Sequence, residues 1–191
     1  VSDIHIVFAK IDDDKNLSAF IVETAWDGVT IGAEEEKMGI KGSSTTQVYY
    51  ENVKVPIENL LGERDGGFKI ALNILNLGRL KLGASTVGGS KGIITYSVKY
   101  ANERKQFKTQ ISQFGAIKHK LAEMTIRTFA LESLIYRAGQ NIDDAIKTYI
   151  ANGMDKGKAT LEGLRQYAIE ASIGKVYGSE VVDYVVDEGV Q

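Results

Sequence analysis

The sequence predicts an α+β protein of more than one domain: a partial antiparallel β-barrel or sandwich, then an antiparallel helical bundle, neither complete. Two changes along the chain carry that expectation. Up to about residue 60 the apolar residues fall in short β-branched and aromatic runs, set off by polar and glycine turns. From about residue 66 they recur at steps of three and four. The only proline, Pro56, stands just before this switch, where it ends a strand because it has no N–H to give a ladder. The expected domains are residues 1–62 and 63–191.

In the β half, IHIVFAK (4–10) and LSAFIVE (17–23) flank the polar cluster IDDDKN and read as a hairpin. GVTIGA (28–33) and TTQVYYENVKV (45–55) supply further strands, so the four form a meander. About sixty residues make a thin core, which points to a piece of something longer. Asp12, Asp14, Asn16 and Glu23 have the spacing of a calcium loop, but Leu17 stands where that loop needs glycine, so the cluster reads as a solvated acidic turn. His5 alternates with Ile4 and Ile6 and is expected to face solvent. Glu34, Glu35 and Glu36 read as an exposed acidic stretch. KMGIKG (37–42) is either a turn between strands or a polar loop that touches an anionic ligand.

In the α half, Phe68, Ala71, Leu72 and Leu75 open an apolar stripe that runs on to about Tyr100. Phe114, Ile117, Leu121, Met124, Thr128, Leu131 and Ile135 alternate steps of three and four, the pattern of a bundle seam. Leu161, Leu164, Ala168 and Ala171 start a third stripe that reaches Val182 and Val185. NIDDAIKTYIANGMDKGK between these two reads as a connector, leaving three long helices and no visible fourth. Gly78, Gly83, Gly88, Gly89 and Gly92 fall in the first helix, each at a cost of about 1 kcal/mol against alanine. They mark either close helix packing or room for a ligand. GASTVGGSK (83–91) lies in a helix and lacks the lysine and hydroxyl of a phosphate loop.

Composition removes several function classes. A net charge of −2 gives no argument for nucleic acid. The absence of cysteine excludes disulfides, a thiolate zinc site and a cysteine nucleophile. His5 and His119 are the only histidines, too few for a metal site, and no Ser–His–Asp set accompanies them. The start of the chain lacks a signal-peptide pattern, and Arg79, Lys81 and Lys91 interrupt the longest apolar run. A soluble protein of cytoplasmic type, with no transmembrane segment, is expected.

YANERKQFKTQ (100–110) places Arg104, Lys105, Gln106 and Phe107 at a helix end. Cations there complement the helix dipole, at about 0.3–1 kcal/mol each. A forked guanidinium beside an aromatic ring also suits a pyrophosphate. Spacing leaves both readings open.

Four stretches, in order, resemble the acyl-CoA dehydrogenase family over the whole chain: KMGIKGSSTTQVYYENVKVPIENLLGE (37–63), GGFKIALNILNLGRL (66–80), YANERKQF (100–107) and VVDEGVQ (185–191). NILNLGR, followed by ISQFGAIKHKLAEM, resembles the very-long-chain branch. The resemblance implies the later part of a middle β-domain and most of a C-terminal helical bundle. It implies FAD-dependent dehydrogenation of fatty acyl-CoA thioesters in fatty-acid β-oxidation. There a glutamate removes the α proton, a hydride leaves the β carbon for the flavin, and trans-2-enoyl-CoA results. Hydrogen bonds to the thioester oxygen stabilise the developing enolate.

Carried over residue by residue, the resemblance assigns Arg104 to the pyrophosphate of FAD held mainly by a neighbouring subunit, with Gln106 and Phe107 beside it. Gln191 matches a glutamine near the adenosine end of FAD. Arg79 matches a residue near the CoA-bound substrate, Asn76 stands where medium-chain members have aspartate, and Ser43 matches a CoA-contacting serine. No catalytic base is assigned. Neither YEGT nor FEGT occurs, Glu188–Gly189 lies in DEGVQ instead, and the base is expected downstream of Gln191, so the isolated chain is expected to be inactive. The resemblance further implies an electron-transfer flavoprotein as electron acceptor, a homo-oligomer (dimer or tetramer), and the bacterial cytoplasm or, in a eukaryote, the mitochondrial matrix. Two alternatives share the fold: a scaffold or assembly protein, and an acyl-CoA oxidase.

Overall fold

Strand β1 (Ile4–Ala9) pairs antiparallel with β2 (Ser18–Glu23), from Ile4 opposite Glu23 to Ala9 opposite Ser18. This hairpin belongs to a computed structural model that describes residues 2–191, in two compact units that divide after Leu72. In the first unit, β2 also pairs with β5 (Leu60–Leu61). A separate antiparallel sheet joins β3 (Val29–Glu34) to β4 (Thr46–Tyr50). The expected meander is therefore split into two sheets, and among the described residues no strands close into a barrel. Gly28 makes the split: at φ +90° its carbonyl accepts the Glu51 N–H at 2.9 Å, and a Cβ there would lie 2.2 Å from the Glu51 oxygen. The fourth strand ends at Tyr50 rather than running to residue 55, because Asn52 turns the chain at φ +52°.

The acidic turn after β1 is held rather than merely solvated. Arg64 donates from Nε and Nη2 to the two carboxylate oxygens of Asp14, at 2.6 and 2.8 Å. That hydrogen-bonded guanidinium holds the Asp14 carboxyl below its ordinary value. His5 departs from expectation as well. Its ring nitrogens hydrogen-bond with Tyr50 Oη at 2.8 Å and Thr24 Oγ1 at 3.2 Å, tying the two sheets together. Ile4 and Ile6 are the exposed neighbours. Both imidazole nitrogens are satisfied, which is what lets a polar ring sit inward.

Helix α1 (Gly67–Glu103) begins against β2, where the Gly67 N–H donates to the Leu17 carbonyl at 2.8 Å. A Cβ at Gly67 would lie 2.6 Å from Ser18, so glycine permits the approach. This contact keeps the first turn of α1 with the sheets and puts the unit boundary after Leu72, past the change of sequence pattern near residue 62.

The second unit continues with α2 (Gly115–Ala151), α3 (Lys156–Gln166) and α4 (Ala168–Val190), making four helices among the described residues instead of three. The expected connector is mostly helix: α2 runs through residues 141–151, and buried Ile142 extends the seam that Ala138 continues. Gly153, at φ +87°, lies just beyond α2, and Asp155 caps α3 by accepting from the Gly157 and Lys158 N–H groups at 2.9 and 3.2 Å. The expected third stripe is two helices broken at Tyr167 (φ −107°, ψ 29°).

Val87, Met124, Leu131, Ile135, Val181 and Val185 form the bundle core. At its tightest crossing a Cβ on Gly83 would meet Ile135 Cδ1 at 2.5 Å and the Gly174 carbonyl at 2.9 Å. Gly78, Gly88 and Gly92 meet nothing within 4 Å, so only part of the glycine series serves packing. The opening apolar stripe of α1 is not core: Phe68, Leu72 and Leu75 are exposed, while Asn73 and Asn76 are buried. Among the described residues no helix is long and apolar enough to cross a membrane, and no three His, Cys, Asp or Glu side chains gather as a metal site.

Candidate functional site

The last turn of α1 runs directly into a short hairpin. The Arg104 N–H closes the helix onto the Tyr100 carbonyl, and the Arg104 carbonyl accepts the Ile111 N–H, both at 2.9 Å. Between them β6 (Lys105–Gln106) pairs with β7 (Thr109–Gln110). The Gln110 side chain donates to the Asn102 carbonyl at 2.7 Å and stitches the hairpin to the helix.

The two turn residues are Phe107 and Lys108, at φ +49° and +65°. Such a two-residue turn ordinarily takes Asn-Gly or Gly-Gly. Holding a bulky side chain there costs on the order of 1–3 kcal/mol per residue. The strain also presents an aromatic ring to water: Phe107 is 89% exposed and meets Phe114 only at the ring edge, 6.4 Å between centroids. The Arg104 guanidinium, exposed beside it, makes no hydrogen bond or ion pair with any described residue. The helix dipole accounts for a cation at this place but not for a strained, exposed phenylalanine. An unengaged donor fork next to a bare ring suits a diphosphate attached to a flat ring system.

Gln191 lies at the same end of the bundle. It borders a cavity of about 530 Å³ whose wall includes Tyr100, Ala101 and Ile111, the residues leading into and out of the hairpin. Arg104, Gln106, Phe107 and Gln191, separated by most of α2 to α4 in sequence, thus gather at one end. The same wall holds a pair that sequence reasoning missed: Lys120 Nζ donates to Glu188 Oε2, and this hydrogen bond raises the Lys120 pKa. The partners are 68 residues apart, and no local pattern joins them.

Asn76 and Arg79 are brought together elsewhere. Arg79 Nη1 donates to the Asn76 amide oxygen at 2.8 Å, one helical turn apart on α1. Asn76 is 6% exposed, so the arginine satisfies and fixes a buried amide. Arg79 lies on α1 and Arg104 directly follows its last residue, so at 1.5 Å per residue the rise between them is about 37 Å.

Ser43 belongs to the first unit and sits, exposed, in the loop between β3 and β4. Glu34, Glu35 and Glu36 are exposed, as expected, but Glu34 is engaged within the loop. Glu34 accepts the Ser44 hydroxyl and, at 3.0 Å, the Thr45 N–H, bonds that lower its pKa. Lys37 Nζ donates to the Ser43 carbonyl and, at 3.0 Å, to Thr45 Oγ1.

Comparison with known proteins bears on the whole chain. The family described as "Acyl-CoA dehydrogenase, C-terminal domain" matches residues 65–191. A probable acyl-CoA dehydrogenase of Bacillus subtilis is 48% identical over 190 residues, covering 100% of this chain and 32% of that protein. The mitochondrial very long-chain specific acyl-CoA dehydrogenase of Rattus norvegicus is 41% identical, covering 100% of this chain and 28% of its own length. The chain thus spans about a third of the curated relatives it matches. Among solved structures, an acyl-CoA dehydrogenase from Bacillus anthracis complexed with FAD superposes with a TM-score of 0.89 at 49% identity, over 100% of this chain and 32% of that one.

Proposed function

Because the chain belongs to the acyl-CoA dehydrogenase family, we propose that the protein carrying it converts fatty acyl-CoA thioesters to trans-2-enoyl-CoA with FAD. The observation that carries this reading is the hairpin after α1, with an unengaged Arg104 guanidinium beside an exposed, strained Phe107. Bound FAD supplies the hydride acceptor. Arg104 pairs with its pyrophosphate, Gln106 and Phe107 lie beside it, and Gln191 serves the adenosine end. The long helical rise between Arg104 and Arg79 supports a cofactor held mainly by a neighbouring protomer, in a homo-oligomer of two or four chains.

Substrate falls to the other set. Arg79 locks Asn76 in one orientation, so the pair presents a fixed polar contact to the thioester's CoA portion, and Ser43 is assigned to CoA by the family resemblance alone. The exposed Leu72, Leu75 and Leu82 of α1 offer an apolar surface suited to an acyl chain. The 41% identity to the rat very long-chain enzyme supports a long-chain substrate in fatty-acid β-oxidation. Electrons then go to an electron-transfer flavoprotein, in the bacterial cytoplasm or, in a eukaryote, the mitochondrial matrix. We assign the proton-abstracting base to none of the described residues.

The test uses the full-length protein. It should purify with a flavin absorption band that bleaches on adding saturated acyl-CoAs, most completely with long chains. Arg104→Gln should weaken flavin retention on the order of ten- to a hundredfold, the worth of a charged hydrogen bond. A full-length protein that binds no flavin, or whose flavin no acyl-CoA bleaches, overturns the reading.

A further inference from the structure

At the hairpin end of the bundle the apolar seam between α2 and α4 gives out. Met124 and Val185 are the last fully buried apolar side chains of these two helices in that direction. One turn further the seam becomes polar: Lys120 Nζ donates to Glu188 Oε2 on the wall of the cavity of about 530 Å³. One turn deeper, the Arg127 guanidinium lies 4.0 Å from the centre of the Tyr184 ring and ties the same two helices. Helix α1 reaches the last turn of α4 as well. A Cβ on Gly189 would lie 2.5 Å from Ile93 Cγ2 and 3.3 Å from Ser97 Oγ, so glycine permits the approach. Glu188 and Gly189 thus hold the last turn of α4 against α2 and α1, while Val190 beyond them is exposed. Gln191 follows, its N–H bonded to the Asp187 carbonyl at 3.2 Å.

We propose that Lys120 and Glu188 are positioning residues, which set the last turn of α4 so that Gln191 meets the adenosine end of FAD. This rests on the reading of Gln191 given above. The surroundings explain why the pair is charged. A cavity borders this turn, so apolar packing on that side is incomplete and cannot fix the helix by shape. A hydrogen bond between an ammonium and a carboxylate is directional and fixes both helices at once. It adds little to stability, because both side chains keep contact with water, at 36% and 16% exposure. What it supplies is a defined place for the turn that leads into Gln191.

The experiment measures the FAD dissociation constant of the full-length protein by flavin fluorescence. Lys120→Met and Glu188→Gln should each raise it about tenfold, as for a lost charged hydrogen bond, with the unfolding midpoint of the flavin-free protein kept. Lys120→Arg, which retains a cationic donor, should recover most of the loss. Gln191→Ala should weaken FAD at least as much, and Lys120→Met added to it should weaken FAD no further, because the two act through one contact. Should Lys120→Met fail to fold, Glu188→Gln, which keeps the side chain's shape, takes its place in this cycle. If Gln191→Ala leaves FAD binding unchanged, the reading of Gln191 falls and the proposal with it. If Gln191→Ala weakens FAD but the Lys120 and Glu188 variants do not, the pair alone is overturned and the Gln191 reading stands. Losses that add in the double variant, or that come with a lowered unfolding midpoint, also overturn the pair, since they report general loosening of the bundle.

Discussion

Phe107 and Lys108 occupy backbone conformations that glycine would fill without strain, yet neither is glycine. Relieving one of them should register as stability. Lys108→Gly is expected to stabilise the protein by about 1 kcal/mol and to raise its unfolding midpoint by a few degrees in scanning calorimetry. An unchanged or lowered midpoint would mean that the turn carries no strain worth relieving. The residues of this corner were legible because a guanidinium, an amide and a ring stand together in the sequence. The strain itself was not, since nothing in FKTQ marks a left-handed pair. Lys120 and Glu188 were illegible for another reason: their meeting depends on how α2 and α4 cross, which no window of sequence contains.

At the scale of elements, the crossing at Gly83 separates two uses of one residue type. Gly83→Ala adds a methyl 2.5 Å from Ile135 and 2.9 Å from a backbone oxygen, and should destabilise the unit by about 1–3 kcal/mol despite better helix propensity. Gly88→Ala meets open space and should stabilise by about 1 kcal/mol. Urea titrations of the two variants check the contrast, and shifts in the same direction would contradict it. Helix α1 was readable from its periodicity. The end of α2 was not, because Asn141, Asp143 and Asp144 look like loop, although Ile142 keeps the seam going. The break at Tyr167 escaped because no glycine or proline marks it. In the β half the strands were readable but their grouping was not. One positive-φ glycine and the paired Asn52 turn divide four strands into two sheets, and His5 bridges them from the face expected to be wet.

At the scale of the molecule, the proposed cofactor residue Arg104 and the proposed substrate residue Arg79 stand far apart along α1 and its end. Arg104 sits at one end of α1 and Arg79 in its first third, with about 37 Å of helical rise between them. If each catalytic centre draws its Arg104 from one copy and its Arg79 from another, neither copy is sufficient by itself. Two individually crippled proteins should then rescue one another. Co-expressing full-length Arg104→Gln with full-length Arg79→Gln, under separable affinity tags, should yield hybrids in which one centre of each reciprocal pair is whole, with turnover well above either parent and near half the unsubstituted rate. Hybrids as feeble as their parents would show that both arginines serve from the same copy.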